Sequence, residues 1–169
     1  MTGLARMTGL ISSPAPAPEA PETIVVADGW FPPIALANVR DRLRLGEGVV
    51  TTARLTEAIE GGMLHAFREL VDWRTVQVLA GHEALDAVTD LQINGRNLAE
   101  VLWERIVRYF AGADLAADYR DVTATDQGLD RSAEKDLTSD ELRRRALAAV
   151  ADLLSIGGDP VARNIVELV

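Results

Sequence analysis

The chain contains no cysteine, and this absence excludes several kinds of chemistry. Disulfide frameworks, cysteine nucleophiles and cysteine-ligated zinc or iron–sulfur centres all require thiols. The two histidines, His65 and His82, leave little material for a histidine-based metal site. The only lysine is Lys135, and no phosphate-binding loop of the G-x-x-x-x-G-K-[S/T] type occurs. The lack of thiols fits a reducing cytoplasm.

Long apolar runs are also missing. A membrane-spanning helix needs about 20 consecutive apolar residues, and the longest uninterrupted runs here are a few residues long. The N-terminal segment carries a single Arg6 and an apolar core that is shorter than that of a signal peptide. We therefore predict that the chain is not secreted and has no membrane partner.

The residues that are present indicate an acidic globular protein. With 169 residues, 48% of them hydrophobic and 25% charged, the chain can bury one core, so we expect a single domain. Acidic residues number 26 against 17 basic residues, which gives a formal net charge of −9. This balance disfavours a nucleic-acid binder, because such proteins neutralise phosphates with an excess of lysine and arginine.

Composition divides the chain into three parts. Residues 1–22 are rich in alternating proline and alanine, which favours an extended, solvated backbone. We predict a disordered leader there, or an arm that becomes ordered on a partner. Residues 23–160 are predicted to form one helical domain. Residues 161–169 are apolar and β-branched and are predicted to form a docking tail.

Apolar residues repeat at spacings of three and four through most of the central part, which predicts an all-α fold. We expect a small bundle of about four helices with extended arms at both ends. The predicted helices are residues 34–45, 52–80, 96–111, and one that begins at the capping box of Thr138 and Glu141 and ends before Gly157. The third is apolar around most of its circumference and is predicted to be the most buried. Pro32 and Pro33 are placed in the first turn of the first helix.

Glycines and turn-forming residues set the predicted interruptions. Gly61 and Gly62 predict a bend or a close helix contact without a break in the helix. Gly81 is predicted to end that helix. Gly112 predicts an interruption that is followed by a short helical segment. Residues 120–137 are polar, without clear periodicity, and are predicted to form a loop.

Motifs that carry catalysis or metal binding are incomplete. The G-x-G at residues 46–48 lacks the third glycine and the preceding strand of a nucleotide-binding fingerprint. The zincin-like start at His82 is not followed by a second histidine. The acidic stretch 121–134 has Asp126 where an EF-hand requires glycine. We therefore predict no catalytic, cofactor-binding or metal-binding residues and no enzyme activity.

Two segments leave alternatives open. The only basic run, Arg143–Arg145, is either a solvated helix face or a contact to an acidic partner surface. The C-terminal tail either pairs as a strand with Thr23–Val26 of its own chain or adds as a strand to another chain through main-chain hydrogen bonds.

The order of motifs resembles the phage head completion protein (GPL) family of contractile-tailed temperate phages and their prophages. The resemblance covers residues 24–169, and no single motif within it is strong. The motifs are Asp28-Gly29-Trp30-Phe31-Pro32, Ile93-Asn94-Gly95, Asp114-Leu115-Ala116, Tyr119-Arg120-Asp121, Asp140-Glu141-Leu142-Arg143-Arg144 and Val166-Glu167-Leu168-Val169.

The resemblance implies a structural virion protein with the helical-bundle fold of head–tail connectors. Such proteins form a ring under the portal after DNA packaging and provide the surface to which the tail attaches. The implied partners are the portal protein, neighbouring copies, and tail-terminator or neck proteins, while packaged DNA passes through without specific recognition. The implied location is the head–tail junction of a virion assembled in the bacterial cytoplasm. The alternative function is a small helical regulatory protein that binds nucleic acid or a protein partner.

Two groups of residues are predicted to make these contacts. The group that docks the tail on the portal is Arg163, Ile165, Val166, Leu168 and Val169. The group that contacts neighbouring copies or other partners is Trp30, Phe31, Tyr119, Arg120, Asp121, Arg143 and Arg144.

Overall fold

Helices supply most of the regular structure, as predicted for an all-α bundle. The computed structural model describes residues 23–45, 50–123 and 138–157, with the backbone alone for 119–123. The helices within these ranges are α1 (Leu36–Arg42), α2 (Thr52–Leu79), α3 (Leu98–Thr123) and α4 (Ser139–Leu154). Two short antiparallel strand pairs accompany them, β1 (Ile24–Val25) with β2 (Ile34–Ala35) and β3 (Gln92–Ile93) with β4 (Arg96–Asn97). A single 3-10 turn covers Leu85–Val88 within these ranges.

The centre of the fold is the antiparallel pair of α2 and α3. Helix α2 runs unbroken through Gly61 and Gly62, which confirms the predicted close contact without a break. A Cβ atom on Gly62 would lie 2.6 Å from the carbonyl oxygen of Val107 in α3. The missing side chain therefore allows the two backbones to touch. Gly81 ends the helix in a left-handed conformation with φ of +95°, as predicted.

Helix α3 continues through Gly112, so the predicted interruption there is wrong. A Cβ on Gly112 would lie 3.1 Å from Leu43 and 3.5 Å from Leu142. This glycine is thus a packing position inside a continuous helix, because the side chains of Leu43 and Leu142 pack against the backbone that its missing side chain leaves uncovered. The helix reaches Thr123 and takes up the first residues of the predicted loop. The rest of that loop, residues 124–137, lies outside the described residues.

The predicted capping box starts α4. The Thr138 hydroxyl accepts a hydrogen bond from the Glu141 amide at 3.2 Å, and the Glu141 carboxylate accepts one from the Thr138 amide at 3.1 Å. Ser139 donates a hydrogen bond to the carbonyl of Ala113, which fixes the start of α4 against α3. One face of α4, with Ala146 buried at its centre, then packs on the core.

The entry segment forms a strand pair that the sequence did not predict. The β1 strand pairs with β2, so the β-branched run has a partner inside its own domain. Pro32 and Pro33 precede β2, and the first helix begins only at Leu36, so their predicted place in its first turn is wrong. The C-terminal tail, one predicted partner of this strand, lies outside the described residues.

None of the helices in the described ranges is both long enough and apolar enough to cross a membrane.

Candidate interaction surfaces

The predicted contact residues Trp30 and Phe31 are buried inside the subunit. Only 7% of Trp30 and 2% of Phe31 is exposed. The Phe31 ring stacks on Trp103 of α3 with a centroid separation of 4.2 Å, and the Trp30 indole donates a hydrogen bond to the carbonyl of His82. The predicted contact of these residues with neighbouring copies or partners stays a prediction. The two side chains clamp the entry segment to the helices, since aromatic side chains bury large areas and stack specifically.

The other predicted contact residues are either exposed on α4, described only by their backbone, or outside the described residues. Arg143 and Arg144 are exposed in the first turns of α4, and an Arg143 nitrogen lies 3.8 Å from a carboxylate oxygen of Asp114. The predicted contact residues Tyr119, Arg120 and Asp121 lie in the last turns of α3, where only the backbone is described. The predicted portal-docking residues Arg163, Ile165, Val166, Leu168 and Val169 lie outside the described residues.

Asp114 joins three helices. Besides Arg143 of α4, its carboxylate faces His65 of α2 at 4.0 Å, and the His65 ring stacks on Phe110. Burial raises the pKa of the Asp114 carboxyl, the positive charges of His65 and Arg143 oppose that shift, and Asp118 adds to it. His65 thus has a packing and pairing role. The described residues contain no group of three His, Cys, Asp or Glu side chains that could hold a metal ion.

An arginine cluster surrounds Tyr109 on α3, and sequence reasoning missed it. Arg108 is only 8% exposed, and its guanidinium lies 4.8 Å from the centroid of the Tyr109 ring. Arg105 lies 5.7 Å from the same centroid. Arg42 of α1 lines a small cavity with Arg108, and Arg145 of α4 lies near enough to Tyr109 to lower the pKa of its hydroxyl. We call Arg42, Arg105, Arg108, Tyr109 and Arg145 the arginine cluster.

The arginine cluster lowers the pKa of the Tyr109 hydroxyl. Burial alone would raise the pKa of the Tyr109 hydroxyl, yet hydrogen bonds from Arg108 and Arg145 and the charges of Arg108 and Arg105 lower it overall. In the described part of the chain, no carboxylate oxygen lies within 4.0 Å of these four guanidinium groups. The nearby Glu104 is bound to Arg96 instead.

The outer face of α2 has the opposite character. Its defining residues are the exposed Glu57 and Glu60 together with Leu64 and Val71, which are 59% and 54% exposed. A cleft of about 400 Å³ lies beside Leu64, between α2 and the segment that follows β1. We call Glu57, Glu60, Leu64 and Val71 the α2 outer face.

Part of this pattern could have been found in the sequence. Arg105, Arg108 and Tyr109 interrupt the helix that was predicted to be the most buried, and they lie near one another on its surface. Arg42 and Arg145 belong to other helices, so the approach of Arg42 to Arg108 and of Arg145 to Tyr109 depends on tertiary packing. On sequence grounds, Arg145 has no role beyond its place in a basic run.

Comparison with known proteins identifies the family. Residues 25–169 match the phage head completion protein (GPL) family. The chain is 37% identical over 136 residues to the head completion/stabilization protein of Escherichia phage P2, and the match covers 80% of each chain. No solved structure matches significantly. The chain belongs to the phage head completion protein (GPL) family, and it is a structural virion protein that acts in head completion.

Proposed function

We propose that the chain is an adaptor subunit that forms a ring under the portal after DNA packaging and provides the surface to which the tail attaches. The observation that carries this proposal is the family match, which includes the helical bundle and continues to Val169. The site of action is the head–tail junction of the virion, after assembly in the host cytoplasm. Tail-terminator or neck proteins are the partners on the side facing the tail.

The charge of the chain supports a role beside packaged DNA without recognition of its sequence. A net charge of −9 repels phosphates, so DNA can pass a wall of such subunits without adhering to it. The buried aromatic entry segment and the α2–α3 pair make a rigid subunit, which suits a protein that works through its shape.

The C-terminal tail docks on the portal in this proposal. Its apolar and β-branched residues suit strand addition, in which main-chain hydrogen bonds supply affinity and alternate side chains supply specificity. Arg163, Ile165, Val166, Leu168 and Val169 make that contact. The tail follows the last described helix, α4, which ends at Leu154, so its removal leaves the sequence of every described helix intact.

Deletion of residues 163–169 tests the docking contact. We expect the shortened chain to lose binding to isolated portals while keeping its helical circular dichroism spectrum. Glu167→Gln is the matched control, because it preserves the shape and the main chain of the tail, and it should bind normally. Portal binding that survives the deletion would contradict the docking contact.

The wider role is tested in the phage itself. Heads that are assembled without this chain should package DNA but fail to gain tails, as counted by electron microscopy. Tailed, infectious particles at the normal yield in the absence of the chain would contradict the adaptor function as a whole.

A further inference from the structure

We propose that the arginine cluster of one copy binds the α2 outer face of the next copy, so that subunits join head to tail. This inference rests on the proposed function, because it names the contact that would close the ring of adaptor subunits. It assigns the ring contact to the bundle, whereas the C-terminal tail contacts the portal.

The two surfaces lie on opposite sides of the subunit. Gly62 of α2 touches Val107 of α3. Each residue turns a helix by about 100°, so positions two residues from a contact point away from it. Glu60 and Leu64 are two positions from Gly62 and point away from α3.

The same geometry applies to α3. Arg105 and Tyr109 are each two positions from Val107, so they point away from α2. The arginine cluster and the α2 outer face therefore lie on opposite sides of the α2–α3 pair. When one copy is placed beside the next in the same orientation and rotated slightly, the cluster of one meets the α2 outer face of the other. This contact between unlike surfaces is the heterologous contact that closes a ring.

The chemistry of the two surfaces is complementary. The cluster presents the exposed guanidinium groups of Arg42, Arg105 and Arg145. The α2 outer face presents the carboxylates of Glu57 and Glu60 beside exposed Leu64 and Val71. Arg68 also lies on the exposed side of α2 and contributes one positive charge beside these acids. Arginine binds carboxylates in a planar, two-pronged geometry, and exposed apolar residues gain from burial in the same contact.

A carboxylate of the neighbouring copy can compensate the charge of the buried Arg108. A charge with only 8% of its residue exposed is costly unless an opposite charge compensates it. Tyr109 offers its ring face to this guanidinium, and no carboxylate oxygen of the described residues lies within 4.0 Å of it. The net charge of −9 favours another copy of this acidic chain over DNA as the source of the missing charge.

Charge reversal tests the contact in the phage that encodes this chain, with its own copy disabled and variants supplied in the host. The first variant reverses the cluster with Arg105→Glu and Arg145→Glu, and the second reverses the α2 outer face with Glu57→Arg and Glu60→Arg. All four side chains are exposed, so each variant should keep the native circular dichroism spectrum and unfolding midpoint. Each variant alone should reduce plaque formation by about 100-fold or more, because like charges across an interface cost several kcal/mol.

Co-expression of the two variants gives the decisive result. In a mixed ring, the glutamates in the cluster of the first variant can contact the arginines on the α2 outer face of the second. The native cluster of the second variant can contact the native α2 outer face of the first, so opposite charges meet at both kinds of contact. Plaque formation should therefore recover at least tenfold over either variant alone. A folded pair of variants that shows no recovery would overturn the proposal, as would normal plaque formation by either variant alone.

Two controls separate this contact from other causes. Glu83→Arg with Asp90→Arg changes the net charge as much as the α2 reversal does, at exposed residues outside both surfaces, and should leave plaque formation unchanged. An equal loss in this control would overturn the assignment. Loss of packaged DNA from tailed particles, without rescue on co-expression, would identify the cluster as a DNA contact instead. The portal-binding test of the tail deletion does not involve these residues, so the two proposals can fail separately.

Discussion

Gly62 sets the distance between the two central helices. Its absent side chain lets the Val107 carbonyl and the Ala111 amide of α3 approach the α2 backbone directly. In an isolated helix, alanine would be more favourable than glycine by about 1 kcal/mol. At this position the tertiary contact outweighs helix propensity.

Gly62→Ala should therefore destabilise the protein. The new Cβ would lie 2.6 Å from a backbone oxygen, so α2 and α3 must separate, and we expect a loss of about 1–3 kcal/mol in the free energy of unfolding. Chemical denaturation measures this change. Gly61→Ala is the matched control, because its Cβ meets only the end of the Asp114 side chain at 3.0 Å, which can move. That variant should be neutral or gain up to about 1 kcal/mol; equal losses in both variants would contradict the backbone contact.

Asp114 makes stability depend on pH. Burial raises the pKa of its carboxyl in the folded state, so the folded chain binds this proton more tightly than the unfolded chain does. The protonated form therefore contributes stability below the ordinary carboxyl pKa, and that contribution disappears as the pH rises through the folded-state pKa.

Asp114→Asn should remove this dependence. Asparagine cannot ionise, so the free energy of unfolding of the variant, relative to that of the native chain, should increase between about pH 3 and about pH 6. Urea denaturation across that range measures the difference. A variant whose relative stability falls as the pH rises would mean that the pairs with His65 and Arg143 dominate over burial.

At the scale of elements, the start of α4 depends on local chemistry. The side chains of Thr138 and Glu141 each accept a hydrogen bond from the main-chain amide of the other. This capping box can be recognised in the sequence from four consecutive residues. Thr138→Ala should lower the free energy of unfolding by about 1 kcal/mol. Thr138→Ser keeps the accepting oxygen and should retain most of that stability. Thermal and chemical denaturation measure the stability of the two variants. Equal stability of the alanine and serine variants would contradict the capping role.

The sequence predicted the elements whose signals are local. Helix α2, with its Gly62 contact, and the capping box of α4 follow from periodicity and from the chemistry of neighbouring residues. Asn94 and Gly95 have positive φ values of 53° and 72° and join β3 to β4, which is the local chemistry typical of a two-residue hairpin turn.

Elements that depend on distant partners could not be predicted in this way. Gly112 suggested an interruption, and only the approach of Leu43 and Leu142 explains the continuous α3. Phe31 is buried because folding brings it against Trp103, which is distant in the sequence. The arginine cluster draws on three helices, so its assembly requires knowledge of the packing.

At the scale of the whole molecule, the bundle should fold without either end of the chain. The buried core of the described residues extends from Val25 to Leu153. A chain trimmed to residues 23–157 should therefore keep its helical circular dichroism spectrum and unfold within about 5 °C of the full chain. Thermal unfolding followed at 222 nm by the helical signal measures this. Loss of cooperative unfolding in the trimmed chain would mean that the ends complete the core.

Opposite charges at the two sides of the subunit also make assembly sensitive to salt. The Debye length falls from about 10 Å at 0.1 M salt to about 3 Å at 1 M, so attraction between exposed arginines and glutamates weakens over this range. The number of copies retained on isolated portals, counted by quantitative mass spectrometry, should fall as salt increases. Glu57→Gln with Glu60→Gln removes the charges but keeps the shape, and the retention of this variant should be lower at low salt and nearly independent of salt. Identical salt dependence of the native and neutral chains would place the electrostatic attraction elsewhere on the molecule, because the contact between the arginine cluster and the α2 outer face would then contribute none of it.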